Sequence, residues 1–202
     1  MKQFRIGIDF DNTIVCYDDV FYKAALEQKL IPVHLSASKT KIRDYFRAEG
    51  KEDEWTQLQG YVYGARMDLA APYPGIGSFL SFCKEKGIQV SIISHKTKHP
   101  YLGFPYNLHQ AARNWLQQQS FFHPEISLFF ELTLKEKLNR IALEQCDYFI
   151  DDLPELLNEP SFPSSVQKIL FDPQNLHPSN PKWMAINSWE YTTWIPKLFP
   201  PS

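Results

Sequence analysis

Three cysteines in 202 residues are too few and too irregularly placed to organise a fold. Cys16, Cys83 and Cys146 are odd in number and lack CxxC spacing, which argues against both a disulfide framework and a zinc site. A strong charge of either sign is also missing. Lys and Arg total 21 against 23 Asp and Glu, a formal net charge of −2. That balance gives no electrostatic case for binding nucleic acid or an anionic membrane. No apolar run approaches the ~20 residues that would span a bilayer. No internal repeat or low-complexity tract is visible. The first apolar run begins at about Phe4, which leaves no room for a signal peptide ahead of it. The expectation is a cytoplasmic protein.

The chain does have apolar material, at 44% hydrophobic, enough for one α/β core and a small appendage. Aromatic residues reach 15%, and most are expected to pack that core. Fifteen prolines, clustered after residue 150 and in mid-chain loops, predict an irregular carboxyl-terminal surface. Strands are expected at Phe4–Phe10, Gln89–Ser94, Ile126–Phe130, Tyr148–Ile150, Gln167–Phe171 and Trp183–Ile186. Helical stretches alternate with them: from Ile76 towards the stop at Gly87, Leu108–Gln119 and Lys135–Gln145, with apolar residues at three- and four-residue spacing. Ser188 could cap a last helix running through Trp194. Such alternation predicts a doubly wound, Rossmann-like parallel sheet.

Two acidic pairs stand out against this background. The first strand ends in Asp9-Phe10-Asp11-Asn12-Thr13, and alternation along a strand points Asp9 and Asp11 to the same side. Like charges held together raise each other's pKa unless something neutralises them. Such a site holds a metal, shares a proton, or does both. By itself the pair could be a strand followed by an Asx-type turn. A second pair, Asp151-Asp152, closes the run Tyr148-Phe149-Ile150. Ser94 ends a third apolar run, and Lys137 lies on a helical segment before the second pair. Ligand sites of open α/β sheets lie outside the carboxyl ends of the strands, so these groups can converge. Four carboxylates, a hydroxyl and an ammonium describe a Mg²⁺ site beside a phosphoryl site. Magnesium takes carboxylates, waters and phosphate oxygens without His or Cys.

In order and placement, Asp9-x-Asp11-x-Thr13, Ser94, Lys137 and Asp151-Asp152 resemble the four motifs of the haloacid dehalogenase (HAD) superfamily of phosphohydrolases. The resemblance covers Phe4 to about Asp152. It implies that Asp9 is the nucleophile that forms an aspartyl-phosphate, and that Asp11 is the general acid and base. Ser94 would then bind a phosphoryl oxygen, and Lys137 would neutralise the phosphorus centre and orient Asp9. The metal set would be Asp9, Asp11, Asp151 and Asp152. Lys135 rivals Lys137 from the same segment. Thr13 would fix the turn after Asp11, and it is also a possible substrate contact. Between the first motif and Pro74, Val20–Leu30, Ser38–Ala48 and Glu52–Gly64 read as three helices. The resemblance makes this insertion a type 1 cap over the active site, with residues 16–71 as the cap and residues 1–15 and 72–202 as the core.

The loop His95-Lys96-Thr97-Lys98-His99-Pro100 follows Ser94. Its basic character suits substrate or a second phosphate, through His95 and Lys96, as well as it suits a solvated loop. Pro100 and Gly103 argue against the helix that an HxxxH zinc motif needs. Arg66, beside Tyr61 and Tyr63 late in the cap, either faces the substrate or lies on a helix surface.

The function expected is Mg²⁺-dependent hydrolysis of a phosphomonoester on a small soluble metabolite, since a cap excludes macromolecules. Phosphoryl transfer to a second hydroxyl, as in phosphomutases, uses the same residues. A phosphoacceptor signalling domain would place its acidic pair early and its phosphorylated Asp mid-chain, the reverse of the order found here. A non-catalytic protein on this fold would not need every chemical position filled.

Overall fold

In the computed structural model, which describes residues 3–198, the first apolar run becomes β1 (Arg5–Ile8). Two short strands, β2 (Val15–Cys16) and β3 (Ala71–Pro72), form a two-stranded sheet. The remaining strands join β1: β4 (Gln89–His95), β5 (Ser127–Glu131), β6 (Tyr148–Asp151), β7 (Gln167–Phe171) and β8 (Met184–Ile186). Among the described residues they form one six-stranded sheet in the order β5-β4-β1-β6-β7-β8, with parallel pairings. The order reverses at β1, which lies between β4 and β6, so a topological switch point falls at its carboxyl end. Ile8 is level with Ile92 on one side and Ile150 on the other, which brings the three strand ends together. Every residue of β6 is buried, so both of its faces are covered. That explains why these strands read as unbroken apolar runs rather than as alternation.

The chain divides into two compact units. The sheet unit comprises the segment up to Ile14, Pro72–His95 and the segment from Ser120 on. Its core packs Ile93, Phe149 and Leu170 of the sheet against Leu138 and Ile141 of α6 (Leu134–Leu143) and against Leu156 and Leu157. The last two belong to α7 (Pro154–Asn158), a short helix that begins on a proline, where a missing N–H costs nothing. α4 (Ile76–Glu85) precedes β4 and stops before Gly87, as its sequence predicts.

The helical unit holds α1 (Asp18–Glu27), α2 (Lys39–Ala48) and α3 (Glu52–Ala65), followed by a 3₁₀ turn at Met67–Leu69. Its core is aromatic. Phe21 stacks on Trp55 with ring centroids 4.9 Å apart, and Tyr17 meets Tyr63 edge-on at the same distance. The unit is larger than the expected segment 16–71, because it spans Val15–Ala71 and also Lys96–Gln119. α5 (Leu108–Gln117) is drawn into it, with the Trp115 indole donating to the Ala70 carbonyl at 2.9 Å.

The expected last helix is the other difference. Trp189 and Trp194 are both buried, but five residues on an α-helix turn through about 500° and would point them to different sides. The segment instead forms a 3₁₀ turn at Tyr191–Thr193 and then α8 (Ile195–Leu198). No helix among the described residues is long and apolar enough to cross a membrane.

Candidate active site

Asp9 follows β1 directly, and its backbone N–H donates to the Ile150 carbonyl at 2.9 Å. The pairing of β1 with β6 therefore continues up to the carboxylate, which is only 4% exposed. Asp151 ends β6 and is fully buried, and Ser94, near the end of β4, is also buried. α6 opens with a capping box in which Thr133 and Glu136 satisfy each other's backbone donors. That fixed start turns Lys137 inward and leaves Lys135 exposed. The Lys137 ammonium donates to Asp9 Oδ1 at 2.5 Å and to Asp151 Oδ2 at 2.6 Å. Of the two candidate lysines, Lys137 is the one that reaches the carboxylates.

The electrostatics follow from burial. Removing Asp9 from water raises its pKa, Lys137 lowers it, and Asp151 and Asp11 raise it again, to about 7 against an ordinary 3.8. Burial alone would lower Lys137, but Asp151 and Asp9 together hold it above its usual value, so it stays protonated. The other oxygen of Asp151, Oδ1, accepts the Leu153 N–H at 2.9 Å. Asp152 is half-buried and accepts the Thr13 hydroxyl at 3.4 Å. Thr13 itself is fully buried, and its hydroxyl ties the first motif to the second acidic pair.

Burial is the main reason Asp9 remains difficult to ionise, the neighbouring Asp151 and Asp11 add to it, and the single Lys137 ammonium offsets only part of the effect. A divalent cation would supply the balance. The donors present are carboxylate oxygens without His or Cys, a set suited to magnesium. Among the described residues no three acidic, His or Cys side chains already converge as a finished metal cage. Lys137 bridges Asp9 and Asp151 instead.

The remaining candidates have partners of their own. His95 is exposed and its Nε2 pairs with the Leu132 carbonyl at 3.1 Å. Lys96 belongs to the helical unit, where it is buried with its ammonium 4.7 Å from the Tyr63 ring centroid. Arg66 ends α3, and its guanidinium is held by Glu27 at 2.6 Å and by the Tyr61 hydroxyl at 3.3 Å. The Tyr61 and Glu27 hydrogen bonds raise its pKa further, and burial opposes them. One supporting residue has no sequence signal. Trp189 is fully buried and donates its indole N–H to the Thr13 carbonyl at 3.0 Å.

No protein-family model and no curated protein sequence matches the chain. Solved structures do. A predicted phosphoglycolate phosphatase from Haemophilus somnus shares 16% identity over 96% of this chain and 99% of its own, with a TM-score of 0.59. A HAD family hydrolase from Deinococcus radiodurans with bound phosphate and sodium shares 10% over 99% of each chain, also at 0.59. A HAD hydrolase from Bacillus subtilis bound to magnesium shares 11% over 96% and 99%, at 0.54. At such identities the likeness is one of fold, and the chain has the fold of the HAD-superfamily hydrolases.

Proposed function

We propose that this chain, built on the HAD hydrolase fold, is a Mg²⁺-dependent phosphomonoesterase that works through an aspartyl-phosphate on Asp9. The observation that carries the reading is the buried Asp9 carboxylate at the switch-point end of β1, oriented by the Lys137 ammonium at 2.5 Å with Asp151 behind it. A phosphomonoester resists attack because its anionic oxygens repel a nucleophile, so catalysis consists largely of positioning and charge neutralisation. Bound Mg²⁺, with Asp9, Asp11, Asp151 and Asp152 as the residues to hold it, supplies part of that neutralisation.

A carboxylate oxygen of Asp9 attacks phosphorus while the ester P–O bond breaks, and Asp11 gives its proton to the departing oxygen. Asp11 then removes a proton from water, which attacks phosphorus and frees both Asp9 and inorganic phosphate. Ser94 donates a hydrogen bond to a phosphoryl oxygen, and Lys137 keeps its charge beside the reacting group throughout. The substrate class is a small soluble phosphate ester. The phosphatase name carried by two structural neighbours makes phosphoglycolate the first compound to test.

The test is a phosphatase screen over a panel of metabolite phosphates with Mg²⁺, together with rapid quench of Asp11→Asn. The variant should give a burst of phenol from an aryl phosphate, with slow phosphate release, and should lose most activity on alkyl esters. Equal loss on both ester types, without a burst, would remove Asp11 from acid–base duty. Phosphate appearing on a second hydroxyl instead of in solution would make the protein a phosphotransferase.

A further inference from the structure

The loop between β4 and α5 exposes apolar side chains that soluble surfaces normally cover. Tyr101 is 80% exposed, Phe104 67% and Leu102 39%. The loop is nevertheless held firmly within the helical unit. Pro100 packs against Gly60 of α3, where an added Cβ would lie 2.6 Å from its ring. Tyr106 fills the space beside Gly64 in the same way, and Gly103 rests near Gln57. Two glycines inside one helix each destabilise it relative to alanine. Here they let the loop lie flat on α3, yet its apolar tip still faces solvent.

Charge is ordered around that tip. No acidic residue occurs between Glu85 and Glu125, and Lys98 and His99 stand exposed at the base of the loop, just before Pro100. Beyond the tip, one helical turn before Gln57, lie the exposed carboxylates Asp53 and Glu54. Along α3 the surface therefore runs from acidic, through apolar, to basic. A patch of that kind is complementary to itself under a two-fold rotation, which sets each basic flank on the partner's acidic flank and apolar tip on apolar tip.

We propose that Tyr101, Leu102 and Phe104 form the centre of a two-fold interface between two copies of this chain. A bilayer fits the patch less well, because Asp53 and Glu54 at its edge would be repelled by anionic lipid. Each ring buries about 150–250 Å² when covered. The contact is therefore smaller than the ~800 Å² per partner of a standard interface, and a Kd on the order of 10 μM is expected.

Sedimentation velocity of the full chain from about 2 to about 200 μM spans that Kd. The sedimentation coefficient should rise with concentration, and the rise should weaken at high salt. Tyr101→Ser with Phe104→Ser should keep the chain monomeric with an unchanged circular dichroism spectrum. Lys98→Glu should weaken association at least about fivefold, and adding Glu54→Lys should restore it, since the two-fold pairs these flanks. A wild-type monomer throughout the range would overturn the proposal, and so would association that survives both sets of substitutions. Co-sedimentation with phosphatidylcholine–phosphatidylserine vesicles that depends on Tyr101 and Phe104, without self-association, would assign the tip to membrane instead. If the double serine variant fails to fold, the charge reversal at Lys98 and its rescue decide the matter alone.

Discussion

The indole N–H of Trp189 donates to the carbonyl of Thr13 at 3.0 Å, across 176 positions of sequence. A residue of the C-terminal segment thereby holds the loop that carries both Asp9 and Asp11. The indole is itself fixed, stacked on Phe171 at 5.3 Å and packed on Phe79 at 5.1 Å.

Trp189→Phe keeps much of the ring packing but leaves the Thr13 carbonyl without its buried donor. The expected loss is about 1–3 kcal/mol in urea unfolding. With its loop less well held, the variant should lose kcat while KM changes little. A variant with reduced stability and unaltered kcat would confine Trp189 to folding.

Lys137→Gln leaves Asp9 and Asp151 buried without their ammonium. Breaking a buried ionic arrangement from one side costs about 3–5 kcal/mol, so a large loss of stability at pH 8 is expected together with loss of turnover. Acid should recover part of the stability, because protonated Asp9 no longer needs a counter-charge. Lys135→Ala, at an exposed position, should stay within about 0.5 kcal/mol of wild type and keep its activity.

Asp9→Asn should abolish turnover and, in the presence of a chelator, raise stability at pH 8. The folded-state pKa of Asp9 lies above its ordinary value, at about 7 against 3.8. Its contribution to stability is therefore fully present below about pH 4 and is lost as pH rises through 7. The asparagine variant does not suffer that loss. Its advantage should be on the order of 1–3 kcal/mol at pH 8, since each pKa unit corresponds to about 1.4 kcal/mol and Lys137 gives up one charged partner. It should vanish below pH 4. Thermal melts across this range provide the measurement, and a variant less stable than wild type at pH 8 would contradict the charge surplus inferred for the site.

The cysteines offer an independent check on the core. Burial pushes the Cys83 thiol up to about 12, and burial with Glu144 and Asp147 does the same to Cys146. Both should resist iodoacetamide at pH 8 in the native protein, while partly exposed Cys16 reacts. Mass spectrometry should find one label before denaturation and three after it. With both pKa values raised on folding, these thiols stabilise the protein below pH 9 and cease to do so as pH climbs towards 12.

Activity should require Mg²⁺ and fall when Ca²⁺ replaces it. Calcium takes more ligands in a looser shell and disturbs the in-line alignment of nucleophile and leaving group. Full turnover in excess chelator would remove the metal from the proposed chemistry.

Much of this was readable without coordinates, because the relevant signals are local. Asp9 and Asp11 follow an apolar strand run, Asp151 and Asp152 close another, and strand and helix patterns alternate between them. Side-chain alternation and helical periodicity act over a few residues and leave a mark at that range. Gln167–Phe171 is found at the expected bounds, and α2 begins one residue after its expected start, at the Ser38 cap. Other features needed the fold. The choice of Lys137 over Lys135 depended on how the Thr133–Glu136 capping box rotates α6 towards β1 and β6. The transfer of α5 to the helical unit, the Trp189 bond to Thr13 and the engagement of Arg66 by Glu27 join residues far apart in the chain. Local pattern says which residues want burial or a partner. Which distant partner they obtain is decided only when parallel strands settle into register and the helices close over them, because that choice rests on the free energy of the whole packed arrangement.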